Sequence, residues 1–431
     1  MNFTKSVEYL LSLGNEVEAM KLGLANIRTL LATLGNPQNN YLKVQVAGTN
    51  GKGSVCAFLD SICREANIKT GVFTSPHLVS ITERIKFDGR EISENKFAKY
   101  AGVVREAAEK LLADGNIEYR PTFFEQITAI ALVAFADAKV ELAILETGLG
   151  GRLDATTAAS AEIAAITRVD LDHQEYLGET IEEIAAEKAA IIHEGSRVVI
   201  GEQPNAVMQV LLDRCRKLEI IPQAASKMYI WQIDISTGKT SVTEFDIDPP
   251  VDIGVRPGLS GRHQIENAYT AIMIATTLGN DFNAEITEEQ IRLGVANACH
   301  PGRLEYQGRY LFDGAHNIGG ANALAAYLNE FEKRPITLVF GAMRDKDIAE
   351  ITSISFPLAT KIVLTEPENP RALSFEELLD QMPAVIPRQS VFVTDRVANA
   401  ITIAETVTPE DGIILVTGSL YLVGEVKRLR F

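Results

Sequence analysis

Residues 46–54, which read VAGTNGKGS, combine three glycines with a lysine and a serine, as in a loop that binds phosphate. Glycines let a backbone turn sharply and point its N–H groups inward, Lys52 supplies a positive charge, and Ser54 supplies an oxygen for magnesium. The generic pattern G-x-x-x-x-G-K-[ST] is not matched, because its first glycine would fall at Val46 and the hydroxyl arrives one position late. The stretch is therefore either a shortened phosphate cradle or a glycine-rich turn with a surface lysine.

The segments on either side of this loop favour the phosphate cradle. Residues 41–46 are rich in β-branched and apolar side chains and predict a strand, whereas residues 54–66 carry apolar side chains at helical spacing. A strand, a loop and a helix in this order direct the positive end of the helix at an anion held by the loop. We therefore expect the loop to hold the phosphates of a nucleotide.

A carboxylate is expected at the end of another buried strand. The apolar run at 140–145 predicts that strand, and Glu146 follows it at the start of the glycine-rich segment 146–154. A carboxylate in this place can hold magnesium against phosphate oxygens, and the glycines allow the backbone to approach a ligand. The alternative is a mobile surface loop with a solvated glutamate.

A further group of polar residues lies at 170–173, which read DLDH and follow a predicted strand that ends at Thr167. His173 is either a metal ligand or a hydrogen-bonded structural residue, and spacing does not separate the two. A predicted helix at 181–192 carries Lys188. Judged by its spacing alone, Lys188 is a solvated helix lysine.

The second half of the chain repeats the arrangement of an apolar strand that ends in polar residues. The run that ends at Phe312 is followed by Asp313 and by a glycine-rich helix start at 319–320. Arg303 comes directly after the break His-Pro-Gly at 300–302. Its planar guanidinium could bind a phosphate across a cleft, and the alternative is a surface ion pair.

Strand-like and helical runs alternate along most of the chain, which predicts a doubly wound α/β protein whose ligands bind at the carboxyl ends of parallel strands. Residues 220–255 interrupt this pattern with short, mixed strands, before helices are predicted from Gln264 and after the capping box at 287–290. We place the domain boundary near His300. The predicted strands lie at 70–73, 142–145, 163–167, 197–200, 310–312, 336–340, 361–364, 391–393 and 413–416.

Composition narrows the class of protein. With 431 residues and 46% hydrophobic side chains, the chain can build two or three packed domains. The formal net charge of −16, without a Lys/Arg stripe, argues against nucleic acid as a partner. The N-terminus does not resemble a signal peptide and no apolar run reaches the length of a membrane span, so we expect a cytoplasmic protein without a membrane partner. The four cysteines lack C-x-x-C spacing and are expected to be reduced core residues.

Together these motifs resemble the Mur-ligase superfamily and, within it, the folylpolyglutamate synthase/dihydrofolate synthase family. The resemblance extends over nearly the whole chain, and this superfamily uses the compact form G-T-N-G-K-G-S of the phosphate loop. The motifs that carry the resemblance lie at residues 22–24, 46–54, 74–78, 83–85, 146–156, 171–188, 261–268, 301–305, 313–317 and 417–426.

The resemblance implies a P-loop-type doubly wound ATPase domain at residues 1–298, followed by a Rossmann-like α/β domain at residues 299–431. It implies an ATP-dependent ligase that joins L-glutamate to a folate or dihydropteroate carboxylate through an acyl phosphate, and it leaves open whether one or both folate reactions occur. The expected partners are these small molecules, and the expected form is a monomer.

Two other functions stay open at this point. A Mur ligase that extends a peptidoglycan precursor would be expected to carry a UDP-binding domain before the phosphate loop, and here that loop begins close to Met1. A nucleotide-binding switch without ligase activity would have no need of Glu146, His173 and Lys188 together.

The resemblance also implies roles for individual residues. The implied catalytic residues are Lys52, His173 and Lys188, and Lys188 is implied to be carboxylated by carbon dioxide. ATP is implied to contact Thr49, Asn50, Gly51, Lys52, Gly53, Ser54, Asn267, Arg303 and Asp313. Magnesium is implied to contact Ser75, Glu146 and His173. The folate or dihydropteroate pocket is implied to comprise Leu22, Gly23, Leu24, Arg84, Thr122, Phe123, Phe124, Leu153, Asp154 and Ala155.

Four positions depart from the family pattern. His300 stands where tryptophan is frequent, Thr157 and Ile318 stand where asparagine and proline are usual, and Ala190 replaces a glycine. These departures leave the implied phosphate and metal contacts in place. They bear on which substrate the pocket accepts, because Thr157 adjoins the implied substrate pocket.

Overall fold

The structure is a computed structural model that describes residues 1–14, 23–225, 229–234, 239–244 and 256–431. Within these ranges, side chains are described except for residues 229–234 and 239–244. Leu22 therefore lies outside the described residues, as does part of the interrupted region 220–255.

The first domain is built on an eight-stranded sheet with the order β4-β3-β2-β5-β1-β6-β7-β8. Strands β2 and β5 to β8 run parallel with β1, while β3 and β4 form an antiparallel edge. A separate antiparallel hairpin joins β9 to β10. The strands are β1 (Leu42–Ala47), β2 (Thr70–Phe73), β3 (Ile85–Phe87), β4 (Arg90–Glu91), β5 (Leu142–Glu146), β6 (Ile163–Ile166), β7 (Arg197–Ile200), β8 (Gln223–Ala224), β9 (Tyr229–Asp234) and β10 (Lys239–Glu244).

Helices cover both faces of this sheet. One face packs against α1, α2, α4 and α5, and the other packs against α3, α9 and α10, while α7 and α8 cover the β6–β7 end. The helices are α1 (Phe3–Leu11), α2 (Ala25–Thr33), α3 (Lys52–Glu65), α4 (Glu94–Ala113), α5 (Phe123–Ala138), α6 (Gln174–Leu177), α7 (Ile181–Ala189), α8 (Asn205–Lys217), α9 (His263–Phe282) and α10 (Glu288–Asn297).

The second domain has its own six-stranded sheet, in which β11 forms an antiparallel edge and the other strands are parallel. The sheet order is β11-β12-β16-β13-β14-β15, with core clusters on both faces. The elements are β11 (Glu305–Gln307), β12 (Tyr310–Phe312), α11 (Ile318–Phe331), β13 (Ile336–Phe340), α12 (Ile348–Ser355), β14 (Lys361–Thr365), α13 (Phe375–Asp380), β15 (Val391–Thr394), α14 (Val397–Val407), β16 (Ile413–Thr417) and α15 (Leu420–Arg430).

The predicted fold class is confirmed, since both domains are α/β and the predicted strands form within a residue or two of their expected ends. The predicted boundary at 298/299 falls between the end of α10 and the start of β11, and it stays a prediction. The helix expected at 181–192 ends at Ala189. The edge strands β3 and β4 were not predicted, because they are too short to show a period of two.

Three of the four cysteines are buried and reduced, as predicted: Cys56, Cys63 and Cys215. Cys299 is also a free thiol, but the predicted core position is wrong for it, because it is exposed at the break that follows α10. Within the described residues, none of the helices combines the length and the apolar character that a bilayer crossing needs.

Candidate functional site

The phosphate loop joins the end of β1 to the start of α3, as its sequence predicts. A Cβ atom on Gly48 would lie 1.9 Å from Thr167 Oγ1, and one on Gly51 would lie 2.2 Å from Asn267 Oδ1. Gly51 also has a φ of +89°, in the left-handed region that favours glycine. Glycine is thus favoured at position 48 by the close approach of Thr167 and at position 51 chiefly by the left-handed backbone.

Backbone contacts hold the loop in an open curve around the start of α3. The N–H groups of Thr49 and Asn50 donate to the Arg168 carbonyl, at 2.8 and 3.1 Å. Lys52 Nζ donates to the carbonyls of Gly48 and Thr49, at 3.0 and 3.2 Å. The ammonium group is therefore held against the loop backbone, where the sequence predicts that a phosphate binds.

The loop forms part of a large cleft between the two domains, which we call the phosphate-loop cleft. Its wall includes every residue that the sequence predicts to contact ATP or magnesium, together with Lys188. These residues are Thr49, Asn50, Gly51, Lys52, Gly53, Ser54, Ser75, Glu146, His173, Lys188 and Asn267 of the first domain, with Arg303 and Asp313 of the second. The structure brings these side chains together, and their individual roles stay predictions.

Glu146 is a buried carboxylate at the end of β5. Its Oε2 accepts a hydrogen bond from the Ser75 N–H at 3.0 Å, and its Oε1 lies 3.5 Å from the place that a Cβ on Gly53 would take. Burial raises the pKa of Glu146, while the nearby ammonium of Lys52 acts in the opposite direction. The alternative of a solvated glutamate is wrong, because Glu146 is buried beside the phosphate loop.

His173 is held neutral beside the second domain. Burial lowers its pKa to about 4, although the Asp172 carboxylate next to it acts in the opposite direction. Its Nε2 accepts from Lys346 Nζ at 3.2 Å, so that Nδ1 carries the proton and lies 3.6 Å from Asp345 Oδ2. A neutral imidazole can bind a metal, and in this structure its lone pair faces Lys346.

The side chains of the cleft fit a magnesium ion that takes part of its oxygen ligands from a bound nucleotide. Within the described part of the chain, no three His, Cys, Asp or Glu side chains are grouped closely enough to hold a metal by themselves. Magnesium keeps several water or phosphate oxygens and takes one or two protein ligands. The buried Glu146 carboxylate beside the phosphate loop suits that kind of site.

Lys188 lies inside the protein, on α7, with 4% of its surface exposed. Its Nζ donates to the carbonyl of Gly48 in the phosphate loop at 2.9 Å. Burial, and then the charge of Lys52, lower the pKa of Lys188 to about 7. The reading of Lys188 as a solvated helix lysine is therefore wrong.

A second pocket, which we call the Phe124 pocket, adjoins the cleft. Seven of the predicted substrate residues line it: Gly23, Leu24, Thr122, Phe124, Leu153, Asp154 and Ala155. The end of the pocket that these seven residues line is mainly apolar. The Asp154 carboxylate accepts from the N–H groups of Gly148 and Leu149, at 2.8 and 3.0 Å, and so it also fixes the loop that separates pocket and cleft.

Two other predicted substrate residues lie away from the described walls of this pocket. The Arg84 guanidinium packs over the Phe123 ring at 5.2 Å and donates to His77 Nδ1 at 2.8 Å. The side chains of Arg84 and Phe123 are buried in the first domain. Their role in binding stays a prediction, and Leu22 is outside the described residues.

The Phe124 pocket and the phosphate-loop cleft meet at a wall that they share. This wall includes His173 of the first domain and His316 of the second. His316 Nδ1 donates to the Gly314 carbonyl at 2.7 Å, which leaves its Nε2 as an acceptor. A group bound in the pocket can therefore approach a phosphate bound in the cleft at this point.

The second domain adds polar side chains to the Phe124 pocket that the sequence analysis did not single out. Lys346 and Arg371 bring positive charges, and Ser419 and Tyr421 bring hydroxyl groups. Lys346 lies shortly after β13, so the rule that drew attention to Glu146, a polar residue after an apolar strand, could have found it. Arg371 follows β14 at the same separation, so the same rule could have found it.

Comparison with known protein families gives two matches that divide the chain in the same order as the fold. The Mur ligase middle domain matches residues 46–275. The Mur ligase glutamate ligase domain matches residues 302–420.

Individual relatives are similar over the whole chain. The dihydrofolate synthase/folylpolyglutamate synthase of Bacillus subtilis is 33% identical over 415 residues, which is 95% of each chain. The Mycobacterium tuberculosis folylpolyglutamate synthase complexed with ADP has a TM-score of 0.89 at 30% identity, covering 99% of this chain and 98% of that one. An Escherichia coli protein in complex with DHPP and ADP has a TM-score of 0.86 at 30% identity, covering 100% and 97%.

Some relatives are much longer than this chain. The probable bifunctional folylpolyglutamate synthase/dihydropteroate synthases of Halobacterium salinarum and Haloferax volcanii are 33% and 34% identical over 99% of this chain. The chain spans about half the length of these two curated relatives, at 51% and 50%.

Proposed function

Because the chain belongs to the folylpolyglutamate synthase/dihydrofolate synthase family of Mur ligases, we propose that it uses ATP to join L-glutamate to the carboxylate of a folate or of dihydropteroate. The observation that carries this proposal is the wall shared by the phosphate-loop cleft and the Phe124 pocket. A reaction between a nucleotide and a second substrate needs two such sites that meet.

The reaction begins with the activation of a carboxylate. At neutral pH a carboxylate does not react with an amine, so the γ-phosphoryl group is first transferred to a carboxylate oxygen and ADP is formed. The amine then attacks the carbonyl carbon of the acyl phosphate, phosphate leaves, and an amide bond remains. Lys52 and Arg303 line the cleft from the two domains, which supports the proposal that they bind the phosphate oxygens whose charge is redistributed in the first step.

Glu146 and Ser75 are the residues beside the phosphate loop that would hold magnesium, which neutralises charge on the phosphate oxygens when it is bound. His173 would join them once its Nε2 is released from the hydrogen bond with Lys346. Asp313 has a structural role in addition to its proposed contact with ATP. Its carboxylate accepts from the N–H groups of Leu304 and Ala315, at 3.0 and 2.9 Å, and so it fixes the segment that carries Arg303.

The Phe124 pocket is suited to a flat aromatic substrate at one end and to a charged substrate at the other. Phe124 and the neighbouring leucines provide an apolar surface for the ring system. Lys346 and Arg371 provide cations for the carboxylates of the incoming glutamate. The reacting carboxylate and the glutamate amine then meet beside His316.

An assay for ADP release tests the proposed function. We expect release to require both glutamate and either dihydropteroate or tetrahydrofolate, and the comparison of these two acceptors decides between one and two folate reactions. Release with a peptidoglycan precursor and its amino acid would instead indicate another Mur ligase. Nucleotide binding without release in any mixture would indicate a switch.

We further propose that the chain acts as a cytoplasmic monomer on small molecules, without a nucleic acid or membrane partner. Its formal charge of −16 disfavours contact with polyanions and anionic lipids. Light scattering after size exclusion should give the mass of one chain, and a dimer mass would contradict this proposal.

A fragment of residues 1–298 is expected to fold and to lack ligase activity. It contains the complete β1–β8 sheet with the three core clusters that cover it, whereas Arg303 and Asp313 are absent from it. Circular dichroism and thermal melting would test folding, and the ADP assay would test activity against the full chain. An active fragment would refute a site shared between two domains.

A further inference from the structure

Asp172 is a buried carboxylate of the first domain that contacts three side chains of the second. Its side chain is 8% exposed. Oδ1 lies 2.7 Å from Lys346 Nζ, and Oδ2 accepts from Asn317 Nδ2 at 3.0 Å. His316 Nε2 lies 3.9 Å from Oδ2. The steps of the proposed reaction do not involve this carboxylate.

The contacts of Asp172 connect the two binding sites. Lys346 lines the Phe124 pocket, and His316 lines both that pocket and the phosphate-loop cleft. Asn317 Nδ2 also donates to Asn50 Oδ1 of the phosphate loop at 3.0 Å. One carboxylate is thus bonded both to the cation of the pocket and to an amide that contacts the loop.

Lys346 needs a partner of this kind. Its side chain is 6% exposed, and a lysine has a flexible four-carbon stem whose freedom must be lost when its ammonium binds a ligand. A buried, hydrogen-bonded counter-charge removes that freedom in advance and so lowers the cost of binding. Asp345 also faces Lys346, at 3.3 Å, but it is more exposed and belongs to the same domain.

We propose that Asp172 is a positioning residue for the acceptor amino acid: it holds Lys346 of the second domain in the Phe124 pocket, beside the shared wall, where a carboxylate of glutamate binds. This inference rests on the proposed function. It assigns to Asp172 an effect on glutamate that acts through Lys346, which lines the Phe124 pocket and not the described wall of the cleft.

The test is the substitution Asp172→Asn, which keeps the shape of the side chain and removes its charge. We expect the KM for glutamate to rise at least about tenfold, as for loss of one partner of a buried charge pair. The KM for ATP should change by less than about twofold, because the contacts of Lys52 are untouched. The half-saturating magnesium concentration is measured as well, because Lys346 also donates to His173, a residue proposed to hold magnesium, at 3.2 Å.

The matched control is Glu330→Gln. Glu330 of α11 pairs with Arg262 at 2.7 Å, so this substitution also breaks an ion pair between the domains, but in an exposed place outside the described walls of pocket and cleft. We expect it to leave all three constants within about twofold of the wild type.

A double variant keeps the proposal testable if Asp172→Asn leaves Lys346 unpaired and destabilises the fold. In the Lys346→Met background, which removes the unpaired charge, Asp172→Asn should cause no further rise in the KM for glutamate. A wild-type KM for glutamate in Asp172→Asn would overturn the positioning role, as would equal rises for ATP and glutamate. Wild-type ADP release that does not depend on glutamate would overturn the proposed function and this inference with it.

Discussion

Lys52→Ala is expected to abolish turnover while the fold stays intact. Among the described residues, the Lys52 ammonium donates hydrogen bonds only to the carbonyls of Gly48 and Thr49, so the fold depends little on it. It lies where charge moves between phosphate oxygens, and loss of one preorganised charge or donor costs about 10²- to 10³-fold in kcat. We therefore expect a loss of that size or larger in the ADP assay, with the circular dichroism spectrum unchanged.

The control for this prediction is Lys110→Ala, which removes an exposed lysine of α4. It should leave kcat unchanged, and both variants should melt within about 3 °C of the wild type. Near-normal turnover in Lys52→Ala would contradict the assignment of residues 46–54 as a phosphate loop.

The sequence predicted the phosphate-loop side of the site because its residues lie on local strand-loop-helix units. Residues 46–54 and Glu146 each follow a strand of the same parallel sheet, and parallel strands end at a common edge. Their meeting in one cleft therefore follows from spacing and sheet direction. The family resemblance added Ser75 and Asn267, for which spacing alone gave little signal.

Other features depend on contacts between distant parts of the chain and could not be predicted from local patterns. The burial of Lys188 arises because α7 packs against the sheet with this residue turned toward Gly48, and helical spacing alone does not tell which face is buried. The pairing of Asp172 with Lys346 joins the two domains and leaves no mark in the periodicity of either segment. The packing of Arg84 on Phe123 is likewise a tertiary contact.

Lys188→Ala is expected to be nearly inactive, and short carboxylic acids are expected to restore part of its rate. We propose that Lys188 carries a carbamate formed with carbon dioxide. An ammonium in the cleft would repel magnesium, whereas a carbamate reverses the charge and supplies oxygen ligands suited to a hard cation. Alanine leaves a space that a short acid such as acetate can enter, and its carboxylate replaces the lost carbamate.

The environment of Lys188 favours this modification. Carbamate formation needs a neutral amine, and burial with the charge of Lys52 lowers the pKa of Lys188 to about 7. As the pH rises through that value the neutral fraction increases, so carbamate formation and activity should rise with it and fall below pH 7. Removal of carbon dioxide should lower wild-type activity at constant pH, and added bicarbonate should restore it.

Lys52→Ala is the matched control for rescue, because it removes a neighbouring cation of the same cleft whose role an acid cannot replace. Acetate should therefore restore Lys188→Ala and not Lys52→Ala. Carbon-13 NMR of the wild type in labelled bicarbonate gives a readout apart from activity, since a carbamate signal should appear and should be absent from Lys188→Ala. Full turnover in Lys188→Ala, or no response of either protein to bicarbonate and acids, would mean that Lys188 acts as an unmodified amine. The oxygen ligands of the metal would then have to come from Glu146, the nucleotide and water.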